Sequence, residues 1–348
     1  MRVAIVNDLP IAVQALRRCV LSEPGFELAW VAADGQQAVQ RCAADRPDLI
    51  LMDLFMPVMN GVEAIERIMR DSPCAVLVIT ASAQAATQEV FKALAAGALD
   101  VLDTPTLLGS AGSNGASRLC AKLRAMRSLV QAASGPLSRP AAAPMLTPTS
   151  ASGASLLVLG ASTGGPGVLA QMLTQLRDKL VRSGVALPAV VVIQHIDTAF
   201  AAGLADWLQQ SSGWPVKLAA DGDAPAAGSV HMGGALGHLV MTPRGLLSNR
   251  REPEGYPYRP SVDEFFYSCR HWRGRGLAAL LTGMGNDGAK GLLQLRQRGW
   301  LTLAQLPSSC AVGGMPQAAI QLDAAAQVLT PAHIVQTLHD HLLLERKT

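Results

Sequence analysis

Three side chains whose types can carry out acyl-transfer chemistry stand at separate points of the sequence: Ser162, His195 and Asp287. A serine hydroxyl is too weak an acid to attack an ester unaided, so a neighbouring imidazole must take its proton. The imidazole in turn needs a carboxylate that holds its other nitrogen, fixes the tautomer and stabilises the imidazolium. These residues therefore predict a nucleophile, a base and an orienting acid, provided that the fold brings them together.

The serine lies in a glycine-rich turn, in which Gly160, Ser162 and Gly164 form the pattern G-x-S-x-G. An apolar run precedes the turn and a helical pattern follows it, which predicts a strand, a tight turn and a helix. Such a turn lifts the hydroxyl above the end of the strand, and the helix N-terminus offers N–H groups to a developing oxyanion. Dinucleotide-binding turns and simple strand–helix turns share this pattern, so the turn alone leaves all three interpretations open.

Each of the three residues follows a near-continuous apolar run, which is typical of parallel strands covered on both faces. These runs lie at 156–159, 189–193 and 277–281. Because an open parallel sheet places its site at the carboxyl ends of its strands, we expect the three side chains to meet at one edge.

Four other acids compete with Asp287 for the orienting role: Asp197, Asp221, Asp223 and Asp263. Asp287 is favoured because it alone follows a buried strand through a glycine-rich turn. The chain order serine, histidine, aspartate differs from that of α/β-hydrolases, in which the histidine comes last. We therefore predict a convergent triad on another doubly wound α/β sheet. Two other histidines, His231 and His238, flank a glycine-rich turn, and we expect them at the surface or the rim.

Strand-like and helix-like segments also alternate over the first 130 or so residues, which predicts a second parallel sheet wrapped by helices. Polar residues follow its predicted strands, namely Asn7, Asp8, Asp53, Thr80 and Thr104. Two acids at neighbouring strand ends suit Mg²⁺, and an aspartate beside that ion could accept a phosphoryl group. The alternative is that these acids are merely exposed to solvent, as acids at strand ends often are.

Length and composition predict a cytoplasmic protein of about two domains. A chain of 348 residues suffices for two cores, and the Ala/Pro/Ser-rich stretch 132–152 is expected to be a linker. The net charge of +3 and the 4% of aromatic residues argue against nucleic-acid binding. The six cysteines form no C-x-x-C pair, so buried thiols are expected rather than disulfides or a metal site. No signal peptide or membrane-spanning run is recognisable, so no membrane insertion is expected.

The loop at 51–61 resembles the phosphoacceptor loop of two-component receiver domains. This resemblance implies a flavodoxin-like receiver domain at 1–131 that binds Mg²⁺ for phosphorylation. The residues that fall at the family's positions are the phosphoacceptor Asp53, the switch positions Thr80 and Thr104, and the metal ligands Asp8, Asp53 and the backbone carbonyl of Phe55. The chain departs from the family at Asn7, where receivers usually have an acid, and at Thr104, where they have a lysine that pairs with the phosphoryl group.

Five motifs in order resemble the protein-glutamate methylesterases of bacterial chemosensory systems, the CheB family. They are residues 160–166, Gln194-His195, and residues 259–263, 281–289 and 314–316. The resemblance implies a catalytic domain at 153–348 with Ser162 as nucleophile, His195 as base and Asp287 as orienter. Thr163 and Met284 fall where backbone N–H groups would face the oxyanion.

The same resemblance implies a receiver-regulated esterase that hydrolyses glutamate methyl esters, without a cofactor for that step. The implied substrates are the cytoplasmic helices of methyl-accepting chemoreceptors, where glutamine deamidation is a second expected reaction. A CheA-type histidine kinase is the implied phosphodonor. The combination of residues 6–8 with residues 103–105 resembles the Wsp-type, surface-sensing branch.

Two rival functions make different predictions from the residues. A nucleotide-binding oxidoreductase would need an acid at the end of the next strand to hold a ribose, whereas that strand ends in Gln194-His195. A non-catalytic adaptor would have no need for a serine, a histidine and an aspartate at three strand ends.

Overall fold

The computed structural model describes residues 1–80, 87–105, 110–132, 155–234, 237–251 and 259–345. The chain divides into two compact units, Met1–Gly135 and Pro136–Thr348. The predicted linker at 132–152 lies outside the described residues except for Ala132, which ends a helix. None of the helices in these ranges combines the length and the apolar character needed to cross a membrane.

The first unit is a parallel sheet with strands in the order β2-β1-β3-β4-β5, which is the flavodoxin-like order. Its strands are β1 (Arg2–Val6), β2 (Glu27–Ala32), β3 (Leu49–Met52), β4 (Ala75–Thr80) and β5 (Asp100–Asp103). Its helices are α1 (Pro10–Ser22), α2 (Gly35–Ala44), α3 (Gly61–Asp71), α4 (Thr87–Ala95) and α5 (Ser110–Ala132). The predicted fold class of this unit is confirmed.

Local sequence explains where the helices that flank its carboxyl edge begin. The Asn60 side chain accepts a hydrogen bond from the Glu63 N–H at 2.9 Å and so caps α3. Asp34 caps α2 in the same way through the Gln37 N–H at 2.8 Å. Strand β3 is fully buried along its length and ends one residue before Asp53, which places this acid at the edge of the sheet.

The second unit is a parallel sheet of seven strands in the order β14-β13-β12-β6-β7-β9-β8, beside a small antiparallel pair β10-β11. The strands are β6 (Leu156–Ala161), β7 (Ala189–Gln194), β8 (Val216–Leu218), β9 (Val230–Met232), β10 (His238–Met241), β11 (Leu247–Arg250), β12 (Gly276–Leu280), β13 (Leu301–Gln305) and β14 (Gln327–Leu329). The helices are α6 (Gly165–Arg182), α7 (Thr198–Ser212), α8 (Val262–Ser268), α9 (Ala289–Gln297), α10 (Gly314–Gln321) and α11 (Pro331–Glu345).

The three strands predicted to carry the site, β12, β6 and β7, are neighbours at the centre of this sheet. Gly160 in β6 pairs with Leu280 on one side and with Ile193 on the other, so the three strands end nearly level. A β-carbon at residue 160 would lie 2.5 Å from the Val262 side chain, so glycine lets α8 pack against the end of β6. The residues that follow the three strands therefore meet at one edge.

Candidate active site

Ser162 directly follows the central strand β6, and the backbone around it is bound on both sides. Its N–H donates to the Thr282 carbonyl at 3.0 Å, on the β12 side. Its carbonyl accepts the Gly165 N–H at 2.7 Å and the Gln194 side-chain amide at 2.8 Å, on the β7 side. Because the turn is held in this way, the Ser162 backbone has a fixed place at the edge of the sheet, where the residue is 4% exposed.

Gln194 is a residue whose role the sequence reasoning missed. Besides Ser162, its buried amide donates to the His195 carbonyl at 3.0 Å, so it links the nucleophile turn to the histidine. A β-carbon at residue 165 would lie 2.1 Å from the Gln194 Oε1 atom, which explains why glycine follows Gly164 in this turn. The signal available in the sequence is a polar residue that ends an apolar strand immediately before the histidine.

His195 and Asp287 come from strands on opposite sides of β6 and meet across it. The His195 Nε2 atom lies 2.8 Å from Asp287 Oδ2, and the His195 N–H donates to the Ala161 carbonyl at 3.1 Å. The structure therefore brings the predicted base and acid into hydrogen-bond contact, next to the residue that precedes Ser162.

The Asp287 carboxylate is 2% exposed and lies at the start of α8. It accepts hydrogen bonds from the Ser261 hydroxyl at 2.9 Å, the Val262 N–H at 2.7 Å and the Asp263 N–H at 3.0 Å. Burial works to raise the pKa of this carboxyl, but the hydrogen bond and charge of His195 and the backbone N–H groups outweigh it. The pKa of Asp287 is therefore lowered, and the group is held as a carboxylate.

A second histidine, His238, contacts the residue that donates its hydroxyl to Asp287. His238 Nδ1 accepts the Ser261 N–H at 3.1 Å, so the residue that donates its hydroxyl to Asp287 is itself positioned. His238 is 0% exposed and His231 is 1% exposed. The expectation that these two histidines lie at the surface or the rim was wrong, because each stands inside a strand of the covered sheets rather than in the glycine turn between them.

The two residues predicted to offer oxyanion N–H groups flank the serine. Thr163 follows Ser162 and is fully buried, with its carbonyl 3.0 Å from the Thr282 hydroxyl. Met284 follows Gly283, at which a β-carbon would lie 2.8 Å from the Ser162 β-carbon. Because the Ser162 N–H is bound to Thr282, the neighbouring N–H groups are the better candidates for an oxyanion at this serine.

The acids that competed with Asp287 have other hydrogen-bond partners. Asp197 caps α7 through the Ala199 N–H at 3.1 Å. Asp221 accepts the Asn249 N–H at 2.6 Å, Asp223 pairs with Lys217 at 2.9 Å, and Asp263 accepts the Gly291 N–H at 2.6 Å.

The second predicted site lies at the carboxyl edge of the first unit. Asp53 is 9% exposed, and its Oδ1 atom accepts the Leu54 N–H at 2.7 Å. Its Oδ2 atom accepts the Asn7 side-chain amide at 2.9 Å, a contact that the sequence did not reveal. Burial raises the pKa of Asp53, and the charge of Asp8 adds to the rise. Asp8 and Asp53 follow the neighbouring strands β1 and β3, and both acids lie at the carboxyl edge of the sheet.

The remaining residues of this site are placed by the sheet. Thr80 ends β4 and is 1% exposed, while its carbonyl accepts the Thr104 N–H at 2.9 Å. Phe55, expected to offer its carbonyl to a metal, has a side chain that is 54% exposed. Within the described ranges no group of three or more His, Cys, Asp or Glu side chains could hold a metal ion. The predicted metal site therefore rests on two carboxylates and a backbone carbonyl.

Comparison with known proteins decides the family. Residues 157–338 match the family described as CheB methylesterase, and residues 3–107 match the response regulator receiver domain. The chain belongs to the CheB methylesterase family. A protein-glutamate methylesterase/protein-glutamine glutaminase of Bordetella avium is 48% identical over 97% of this chain and 96% of its own. One from Pseudomonas aeruginosa is 44% identical over 97% and 98% of the two chains.

The chain is also similar to one domain of known structure. The crystal structure of the Thermotoga maritima CheB methylesterase catalytic domain is 28% identical, covers 54% of this chain and 98% of that one, and has a TM-score of 0.48. The sequence motifs predicted the CheB family, and the relatives and the family matches confirm it.

The contact between Ser261 and Asp287 generates a testable prediction. Ser261→Ala removes a hydroxyl donor to the carboxylate and the side-chain cap of α8, which receives the Glu264 N–H at 3.2 Å. We expect the esterase kcat/KM to fall about tenfold or more, since a hydrogen bond to a charged group contributes roughly 1.5–3 kcal/mol. Loss of the cap should lower stability by about 1 kcal/mol, measured by urea unfolding. Ser261→Thr keeps the hydroxyl and should retain most activity; equal losses in both variants would contradict the assignment.

Proposed function

We propose that Ser162, His195 and Asp287 are the catalytic triad with which this CheB-family esterase hydrolyses glutamate methyl esters. The proposed substrates are the cytoplasmic helices of methyl-accepting chemoreceptors. The observation that carries the proposal is the 2.8 Å contact between His195 Nε2 and the buried Asp287 carboxylate, at the sheet edge that Ser162 occupies. A carboxylate bound to one ring nitrogen leaves the other nitrogen of the neutral ring as a proton acceptor.

The proposed reaction has two halves. His195 takes the hydroxyl proton of Ser162 through Nδ1, because Nε2 carries the proton that is bound to Asp287. The serine oxygen attacks the ester carbonyl, and the C–O bond to the methoxy group breaks as the imidazolium returns a proton to give methanol. Water then attacks the acyl-serine with His195 again as base, which releases the glutamate and restores the serine. Asp287 stabilises the imidazolium in both halves without itself taking the proton.

Backbone groups supply the remaining stabilisation in this proposal. The negative charge on the carbonyl oxygen develops beside Ser162, between the turn that carries Thr163 and the turn that carries Met284. N–H groups fixed before the reaction need no reorganisation, so they stabilise the tetrahedral intermediate more than water would.

The same residues account for the second activity in the names of the relatives, protein-glutamine glutaminase. A side-chain amide presents the same carbonyl to Ser162, and His195 would protonate the departing nitrogen to give ammonia. The acyl-serine that results is identical to the one formed from the methyl ester. We propose that both substrates use this one site.

A receiver domain implies phosphorylation that depends on Mg²⁺ and a kinase phosphodonor. We propose that Asp53 is the phosphoacceptor, that Thr80 and Thr104 respond to the phosphoryl group, and that the donor is a CheA-type histidine kinase. Asp8 and Asp53 follow neighbouring parallel strands, and the charge of Asp8 raises the pKa of Asp53; both observations support a cation site of those two carboxylates and the Phe55 carbonyl. When bound, the ion offsets the charge of the phosphoryl group.

Asn7 and Thr104 distinguish this site from ordinary receivers. Asn7 donates to the phosphoacceptor at 2.9 Å, where an acid would instead repel it. Thr104 offers at most a neutral hydroxyl, and charge-assisted hydrogen bonds are roughly twice as strong as neutral ones. We therefore propose a weaker hold on both the cation and the phosphoryl group. Assignment to the Wsp-type branch rests on these same positions and stays a prediction.

Methanol release from methylated receptor membranes tests the esterase proposal. Ser162→Ala should lower the rate by about 10⁴-fold or more. Asp287→Asn should be nearly as damaging, because an amide cannot hold the productive tautomer of His195. Both variants should keep the parent circular dichroism spectrum. Asp221→Asn makes the same chemical change at an exposed acid and should leave the rate unchanged. Near-normal turnover in Asp287→Asn would show that another acid orients His195.

The contact between Asn7 and Asp53 generates a prediction for the receiver domain. Asn7→Asp replaces a hydrogen-bond donor by a second negative charge, which raises the pKa of Asp53 further and favours a divalent cation between the two acids. We expect Mg²⁺ to bind about fivefold or more tightly, measured by calorimetry on the full chain. Asp53→Asn is the control and should abolish any rise in esterase rate on adding a phosphodonor. An unchanged Mg²⁺ affinity in Asn7→Asp would mean that residue 7 does not contribute to the cation site.

A further inference from the structure

Asp263 is a second buried acid in this region, and the proposed reaction does not use it. Asp263 is 3% exposed and is the second residue of α8. Its backbone N–H donates to Asp287 Oδ1 at 3.0 Å, and its own Oδ1 atom accepts the Gly291 N–H at 2.6 Å. One residue therefore contacts both the carboxylate of the proposed triad and the first turn of α9, the helix that follows Asp287.

The two helices are in close contact at this point. A β-carbon at residue 291 would lie 2.5 Å from the Phe266 β-carbon and 3.1 Å from the Asp263 carbonyl oxygen. The glycine lets α9 approach α8 closely enough for the Gly291 N–H to reach the Asp263 carboxylate. Because Asp287 lies in the turn that leads into α9, the position of that helix against α8 fixes the position of Asp287 against the N–H groups that bind it.

The charged and titratable groups around Asp263 lie on α8, on α9 and in the turn between β12 and α9. Asp287 lies in the turn before α9, Lys290 lies on α9, and Glu264 and Tyr267 lie on α8. Burial raises the pKa of Asp263 to about 6, and the charge of Asp287 adds to the rise, while the Gly291 N–H and Lys290 oppose it. Asp263 is thus ionised at pH 8 and neutral at pH 5.

We propose that Asp263 is a positioning residue of the esterase reaction: its ionised carboxylate holds the turn that carries Asp287 and places a second negative charge beside the His195–Asp287 pair. This inference rests on the proposed function. A further negative charge beside the pair stabilises the imidazolium that forms when His195 takes the serine proton. Neutral Asp263 would keep the fold and lose this stabilisation.

The ionised form of the Asp263 carboxylate lowers the stability of the folded state. A carboxyl whose pKa is raised in the folded state from 3.8 to about 6 favours folding fully below pH 3.8, and this contribution is lost as the pH rises through about 6. A side chain whose only role is to stabilise the fold would not be expected to lower stability at neutral pH. A buried carboxylate whose charge stabilises the His195 imidazolium would be expected to do so.

The test compares Asp263→Asn with the parent chain in methanol release and in thermal unfolding between pH 5 and pH 8. We expect kcat at pH 8 to fall about tenfold, the equivalent of one pKa unit of lost charge interaction. KM should be unchanged, because a side chain that is 3% exposed does not touch the substrate. Log kcat against pH in the parent should contain an additional step of about one unit near pH 6, where Asp263 titrates, and the variant should lack this step. The difference in Tm between parent and variant should shift in favour of the variant as the pH rises.

Controls separate this role from a structural one and from the proposed function. Asp221→Asn should change none of these quantities. A parent profile without this step, a measurement that needs no variant, would overturn the inference even if Asp263→Asn failed to fold. An Asp263→Asn enzyme with the parent kcat and the parent pH profile would also overturn it and leave the triad intact. A parent chain that releases no methanol would overturn the proposed function and this inference together.

Discussion

The buried negative charge of Asp287 is the constraint on which the rest of the catalytic unit depends. An ionised carboxylate removed from water is costly unless donors surround it. Here the start of α8 supplies a hydroxyl and two backbone N–H groups, and His195 completes the set. The helix must therefore begin directly after Ser261 and pack against the end of β6, which glycine at residue 160 permits.

The position of this charge also selects which ring nitrogen of His195 it binds. His195 reaches Asp287 through Nε2, the reverse of the assignment in trypsin-like proteases, in which the aspartate binds Nδ1. The acid and the base meet across β6, the strand that Ser162 follows, since they come from β12 and β7 on either side of it. The proposed triad thus combines serine-esterase chemistry with a chain order that differs from that of α/β-hydrolases.

The sequence predicted the elements whose signal is local. The apolar runs, the glycine turns and the polar residues after them were enough to place Ser162, His195 and Asp287 at one edge. It could not predict the contacts of Gln194, Ser261 and His238, because each joins segments that are distant along the chain. Ser261 and Asp287 are 26 residues apart, and no periodic pattern connects them. For His231 and His238, proximity to a glycine turn suggested exposure, whereas pairing with neighbouring strands buries them.

The most direct test of the central claim, that Asp287 fixes the tautomer of His195, is a ¹⁵N NMR titration of the full chain labelled at histidine. The account predicts that the neutral His195 ring is protonated at Nε2, that this proton resonates far downfield, and that the signal is lost in Asp287→Asn. A neutral ring protonated at Nδ1 in the parent chain would contradict it, because the nitrogen that must accept the Ser162 proton would already carry one.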